Sequence, residues 1–370
     1  MSQAPAGNPG ASGAPARVGV VGAGYWGPNL IRNLAELPRS PLAAVADRDP
    51  ARLEYVRARY PHIRTHDSLE ALLADEELTA VVLATPAELH ERHGLAALEA
   101  GKHVFIEKPL ATTSAGCRRL AAEAQRHGRV LMVGHTFLHN DSVRWVKERI
   151  DAGDLGEVLY LYSRRLNLGQ VRQDVNVAWN LAPHDISIVL YLLGQRPSRV
   201  TCHGQSFLQK GVEDVALLVL EFDVTATGAR RAAHIHVSWL DPNKVREVVV
   251  VGTKKMVVYD DVDADHTIRV YDKGVDRRPA QEDPQMLRAP RETFDSFGEF
   301  KLWLRWGDLT VPKLRVSEPL RNEMAHFVRC VETGERPLTD ATNGLEVVRV
   351  LEAADESLRS GSRPVEICWE

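Results

Sequence analysis

Three glycines and one carboxylate are the first residues in this chain whose spacing could do chemistry. Gly22-Ala23-Gly24-Tyr25-Trp26-Gly27 has the G-x-G-x-x-G spacing. It lies between a β-branched run and an amphipathic stretch, the context in which that spacing acquires meaning. Gly22 would permit a tight turn, Gly24 a close approach of a pyrophosphate to the backbone, and Gly27 close packing of helix on strand, with the phosphates at the helix N-terminus. Asp47 ends the next apolar run, 25 residues after Gly22, where a carboxylate can accept hydrogen bonds from an adenosine ribose. A 2′-phosphate there would meet like charge, so NAD is expected over NADP. Arg48 next door would stack on the adenine or partly compensate for NADP.

A second group is polar and aromatic: Arg165, Asn167, Arg172, Asp174, Asn176 and Trp179. Such a set suits a polyhydroxylated ligand, because hydroxyls need directional donors and acceptors and a ring face packs on an aromatic. Arg165 and Arg172 would also suit a phosphate or carboxylate; the competing reading is a solvated loop. His234 and His236 share a strand face but have no third ligand near them in sequence, so no metal is expected. The acidic run 260–265 lacks the glycine and terminal glutamate of a calcium loop.

Positioning these residues requires strands whose ends converge. From Arg17 onward, β-branched runs alternate with amphipathic stretches, as in a parallel sheet with crossover helices. The expected strands are 17–21, 42–46, a short one near Ile63, 80–84, 103–106 and 130–133. Asp67 with Glu70 reads as a capping box, and Gly101 as a left-handed helix terminus. After about Phe137 the order changes to a helix (141–152), a strand (157–165), a helix (184–193) and strands at 214–222, 232–239, 245–251 and 255–259. The last two are joined at Gly252 and Thr253 and should pair antiparallel. Helices at 319–333 and 343–360 close the chain. The fold class is therefore α/β: a disordered tail (1–16), a dinucleotide-binding domain (17–137), and an α+β domain (138–370) with a largely antiparallel sheet. Phe294, Phe297, Phe300, Trp303 and Trp306 recur at the helical spacing of three and suit core packing, a substrate lid or a subunit contact, with core packing as the default. Val248–Val251 is apolar on both faces and needs cover on both, which points to a homodimer or homotetramer.

Composition excludes several classes. The 46 basic and 50 acidic residues of the 370, net charge −4, are mixed along the chain, so nucleic-acid binding has no electrostatic support. No apolar run approaches the roughly 20 residues that span a bilayer, and the first sixteen residues lack a secretory pattern; a cytoplasmic protein without membrane contact is expected. Cys117, Cys202, Cys330 and Cys368 are too scattered for a disulfide framework or a CxxC site.

Glu107-Lys108-Pro109 follows the fifth strand and is preceded by Ala100-Gly101-Lys102-His103-Val104. With Ala84-Thr85-Pro86 and His90, Gly134-His135, and Pro337-Leu338-Thr339-Asp340, it makes residues 17–366 resemble the Gfo/Idh/MocA oxidoreductases. The resemblance implies a Rossmann domain and an α/β domain whose open sheet often makes oligomer contacts. It also implies hydride transfer between NAD and a ring secondary alcohol of a sugar, amino sugar, sugar nucleotide or cyclitol. In such enzymes the lysine of the EKP motif hydrogen-bonds the reacting hydroxyl, and a second-domain histidine takes its proton; these positions match Lys108 and His184. The cofactor set then comprises Gly22, Gly24, Tyr25, Trp26, Gly27, Asp47, Arg48, Thr85, Pro86, His90, Glu107 and Lys108. The substrate set comprises Lys108, Arg165, Asn167, Arg172, Asn176, Trp179, Asn180 and His184.

Read from the residues alone, Lys108 lies beyond a strand's carboxyl end, where open α/β sheets bind ligands, and Pro109 would fix the backbone there through a cis bond. Many members carry Asp four residues before the histidine; Asn180 stands here, and an amide orients but cannot ionise. Asp185 points about 100° away from His184 on a helix, so it is not expected to replace the lost charge. The 24–29 and 165–179 segments look like a bacterial subgroup linked to amino-sugar or antibiotic-sugar pathways. Two other activities share the scaffold: NAD-assisted oxidation and elimination by a glycosidase or lyase, and non-catalytic sensing of dinucleotide and sugar. Retention of both Lys108 and His184 argues against the sensor, and Asn180 argues weakly for it.

Overall fold

The computed structural model describes residues 15–169, 171–224, 228, 230–279 and 300–369, so the expected tail lies almost wholly outside the described residues. Two compact units emerge. The first runs to Asp141 and adds Ile186–Ile188 and Val316–Glu356; the second holds Ser142–Asp185, Val189–Arg315 and the segment from Ser357 on.

In the first unit, β1 (Val18–Val21), α1 (Gly27–Glu36), β2 (Leu42–Ala46), α2 (Pro50–Arg59), β3 (Arg64–His66), α3 (Leu69–Leu73), β4 (Ala80–Leu83), α4 (His90–Glu99), β5 (His103–Glu107), α5 (Ser114–Arg126) and β6 (Leu131–Gly134) alternate as expected. The strands lie in the order β3-β2-β1-β4-β5-β6, all parallel. Every residue of β1, β4 and β6 is buried, which is why these strands read as unbroken apolar runs: helices cover both faces. The order reverses between β1 and β4, opening a crevice beyond their carboxyl ends. Gly101 takes φ 71° after α4, as expected. The capping box does not form. Ser68, not Asp67, caps α3 by accepting from Ala71 N at 3.3 Å, which leaves Glu70 one position too early to reach back.

The C-terminal helices α8 (Pro319–Thr333) and α9 (Ala341–Arg359) correct the expected domain division, because they pack with the first unit rather than the second. Leu320, Met324, Phe327 and Val331 form a stripe at helical spacing and share one core with Val18, Val20, Leu30, Leu34 and Phe105. The segment between the helices extends the sheet edge: Val133 N donates to Thr339 O at 2.8 Å, and Met132 bridges Asp340.

The second unit comprises α6 (Asp141–Asp151, from Ser142 on), β7 (Val158–Leu166), α7 (Val177–Leu193), β8 (Arg199–Gln205), β9 (Val215–Val224), β10 (Arg230–Ser238), β11 (Val245–Gly252), β12 (Met256–Asp260), β13 (Ile268–Pro279), β14 (Phe300–Thr310) and β15 (Val365–Glu366). Its sheet runs β14-β13-β12-β11-β7-β10-β9-β8-β15. The described pairings are antiparallel except β7 with β10. Two expectations fail here. Helix α7 begins at Val177, seven residues before the expected start, so that Pro183 lies inside it. Phe300, Trp303 and Trp306 lie on strand β14, paired with β13, rather than on a helix; Phe294 and Phe297 lie outside the described residues. Cys117, Cys202 and Cys330 are buried free thiols and Cys368 is exposed. Among the described residues no helix is long and apolar enough to cross a membrane.

Candidate active site

The glycine turn caps the carboxyl end of β1. Gly22 takes φ +99°, and a Cβ there would lie 2.6 Å from Ala84 O; a Cβ on Gly27 would lie 2.0 Å from Gly22 O. The protein's own packing therefore demands both glycines. Gly24 differs, since a Cβ there would meet only Arg52, at 3.4 Å. Its bare side faces space that the fold leaves clear, as a pyrophosphate lying on the backbone requires. Helix α1 begins without a side-chain cap; Pro28 has no N–H and Asn29 N donates to Trp26 O at 3.0 Å, so an anion there would meet the backbone of the glycine turn and the positive end of the helix dipole.

Asp47, at the end of β2, is 7% exposed. Its Oδ2 accepts from Ala23 N at 2.7 Å and its Oδ1 from Asp49 N at 2.9 Å. The carboxylate thus braces the glycine turn and still has acceptor sites left for a ribose. Arg48 is exposed. Sequence reasoning missed Arg52, whose guanidinium lies 3.4 Å from both Asp47 and Asp49. Its place in the first turn after the Asp49 cap was the available signal.

At the end of β5 the Lys108–Pro109 bond is cis, as expected. Trp26 Nε1 donates to Glu107 Oε1 at 2.8 Å, linking the glycine turn to this segment; burial pushes the Glu107 carboxyl up to about 7. Tyr25 stands almost fully exposed. Thr85 and Pro86 follow β4. His90 corrects its assignment as a cofactor contact. It is buried, with Nδ1 2.7 Å from Pro109 O and Nε2 2.8 Å from Thr85 O, so it straps the two loops together. His135 is also buried; its Nδ1 lies 2.6 Å from Asn343 Oδ1, and burial holds its pKa down at about 4.

In the second unit, the early start of α7 puts Asn176, Asn180 and His184 four residues apart on one stripe. His184 is half-buried. Asn180 Oδ1 accepts from Trp239 Nε1 at 3.0 Å, which fixes the amide's orientation. Asn176 caps α7: its Oδ1 accepts from Trp179 N at 3.0 Å and its Nδ2 donates to Glu213 at 3.2 Å. Arg165 departs from the substrate set, because it is buried and paired with Asp185 through Nε at 2.7 Å and Nη2 at 3.2 Å. Asp185 does point away from His184, and Ser163 Oγ donates to it at 2.5 Å. Arg172 makes an exposed ion pair with Asp174. Asn167 and Trp179 are half-buried, near the end of β7 and in the first turn of α7.

Comparison with known proteins agrees with the fold. Residues 16–135 match the Gfo/Idh/MocA oxidoreductase family, NAD-binding Rossmann fold, and residues 143–258 match the Gfo/Idh/MocA C-terminal domain. Inositol 2-dehydrogenase 2 of Saccharopolyspora erythraea is 36% identical over 211 residues, 55% of this chain and 62% of that protein. For the relatives matched at 30% identity or more, the chain spans about half to two thirds of their length. The scyllo-inositol 2-dehydrogenase (NAD(+)) of Bacillus subtilis is 26% identical over 365 residues, 95% of this chain and 96% of its own. The WlbA dehydrogenase from Bordetella pertussis, solved with NADH and UDP-GlcNAcA, shares the fold with a TM-score of 0.72 at 21% identity, covering 96% of this chain and 100% of that one.

Proposed function

The chain belongs to the Gfo/Idh/MocA oxidoreductases, and from that premise we propose that it transfers a hydride between NAD and a ring secondary alcohol of a cyclitol, sugar, amino sugar or sugar nucleotide. The observation that carries this reading is Lys108 at the carboxyl end of β5, in the same unit as the glycine turn and Asp47. Four relatives are named for inositol, and one of those names specifies NAD.

Bound NAD would supply the hydride acceptor, held by the glycine turn, the α1 N-terminus and Asp47. The protein's part is the proton. A carbinol carbon gives up its hydride only as its hydroxyl loses a proton, so an acceptor and a stabilising charge must reach one oxygen. His184 takes the proton on a ring nitrogen, and the Lys108 ammonium donates a hydrogen bond to the developing alkoxide. Asn180, its carbonyl held by Trp239, orients the ligand without titrating.

The test incubates cyclitols, sugars and nucleotide sugars with NAD or NADP, follows nicotinamide absorbance and identifies products by mass spectrometry. We expect net NADH formation with a ring alcohol and a higher kcat/KM with NAD than with NADP. Turnover without net NADH would point to oxidation and elimination, and silence across the panel would overturn the reading.

A homo-oligomer accompanies this proposal. On one face of the second unit's sheet, Tyr160, Tyr162, Leu217, Val219, Val249 and Val258 share a side by register, and Tyr160 and Leu217 are 40% and 47% exposed. These part-exposed aromatic and aliphatic side chains, on a face that also carries Arg164, His234, His236 and Glu247, suit a contact with another chain. Light scattering at micromolar protein should give two or four times 41.1 kDa; a monomer alone would contradict it. The cytoplasm, where NAD and such substrates are available, is the proposed location.

A further inference from the structure

Two carboxylates meet behind Lys108, and only one has donors enough to be an ion. Phe105 and Glu107 are two apart on β5, and Glu323 and Phe327 are four apart on α8, so each pair shares a face. The edge-to-face contact of Phe105 with Phe327, 5.7 Å between ring centroids, therefore brings the two glutamates to one level of the interface between strand and helix. Both reach the end of β6. A Cβ on Gly134 would lie 2.9 Å from Glu107 Oε2, so the glycine keeps open the room that the Glu107 carboxylate fills.

Their hydrogen bonding is unequal. Glu107 receives Trp26 Nε1 on Oε1 at 2.8 Å and its neighbour's backbone, Lys108 N, on Oε2 at 3.3 Å. Glu323 has no exposure. Thr136 Oγ1 donates to its Oε2 at 2.6 Å, while Oε1 is buried with no donor among the described residues. An ionised Glu323 would hold a charge against a second carboxylate with one oxygen dry. A protonated one makes Oε1 a donor and finds its acceptor in Glu107.

We propose that Glu107 and Glu323 share one proton as a carboxyl–carboxylate pair, with Glu323 the positioning residue that holds Glu107 and a single negative charge beside Lys108. Burial raises both groups, Glu107 to about 7 and Glu323 well above the usual carboxylate range, where the charge of Glu107 adds to the burial. The pair therefore keeps its proton at neutral pH. Losing it as pH rises puts a second negative charge beside the Lys108 ammonium and frees Glu107 from α8. Among the other titratable groups on β5, α8 and the turn after β6, which include Lys108, His135, His139, Arg321, His326 and Arg329, Lys108 is the one that lowers the pKa of Glu107.

Infrared difference spectra of the full chain, taken without substrate, test the proton itself. Wild type should show the C=O stretch of a protonated carboxylic acid in neutral buffer, lost on going to alkaline buffer and missing from Glu323→Gln. The kinetic arm rests on the hydride-transfer reading above. Glu323→Gln, whose amide N–H can replace the shared proton, should lose the pair's contribution to the alkaline limb of the kcat/KM profile. Glu323→Leu should lower kcat at every pH by about tenfold or more. If no Glu323-dependent acid band exists at neutral pH, or a folded Glu323→Gln behaves as Glu323→Leu does, the pair is not as described. A band present in a protein that turns over no ring alcohol would sink the dehydrogenase reading and leave the pair standing.

Discussion

Replacing His184 by alanine should lower kcat by about 10²- to 10⁴-fold while NAD affinity stays close to wild type. The separation follows from where the residues lie. The glycine turn, the α1 N-terminus and Asp47 belong to the first unit, whereas His184 sits on α7 among second-unit residues. Losing the imidazole removes a proton acceptor and none of the groups proposed to hold the dinucleotide. Asn180→Asp is the informative companion. A carboxylate there can still accept from the Trp239 indole that now holds the amide, so turnover should remain within about tenfold of wild type. Steady-state kinetics with the substrate found by the panel, alongside calorimetric titration of NAD, check both. Near wild-type turnover in His184→Ala would mean that the proton goes elsewhere.

The first unit was largely legible because its strands are buried on both faces. Runs such as Ala80–Leu83 and His103–Glu107 carry their assignment in composition, and Gly22 and Gly27 declare a turn that no side chain could enter. What sequence could not give was partnership through space. The stripe on α8 announced that the helix buries a face, but not that the face lies on Phe105 and Val18 rather than on the second sheet. The same limit explains the polar segment before α7. Arg165 and Asn176 have the chemistry to bind a hydroxylated ligand, yet Asn176 caps a helix whose start was read seven residues late, and Arg165 finds Asp185 across the space between strand and helix. A strand whose described side chains are half-buried or exposed, such as β14, gives a weaker signal still, and three aromatics at spacings of three fitted a helix as well as a strand until the pairing with β13 was visible.

Breaking the Arg165–Asp185 pair from one side should also destabilise the second unit. The two side chains are 7% and 1% exposed, so solvent screens little of the interaction. With two guanidinium contacts and the Ser163 hydroxyl on one carboxylate, its acceptor capacity is well used. Asp185→Ala takes the paired carboxylate away from a buried guanidinium and is expected to cost about 3–5 kcal/mol. Arg165→Met with Asp185→Leu removes both charges and should cost less than Asp185→Ala alone, because what destabilises is the uncompensated charge rather than the missing attraction. Since β7 and α7 are joined by this pair one residue from His184, the single variant should lower kcat as well, through displacement of the imidazole. Denaturant unfolding monitored by circular dichroism, with a kcat measurement on the folded fraction, would decide. Asp185→Ala within about 1 kcal/mol of wild type would show that Arg165 has another partner able to take over its charge.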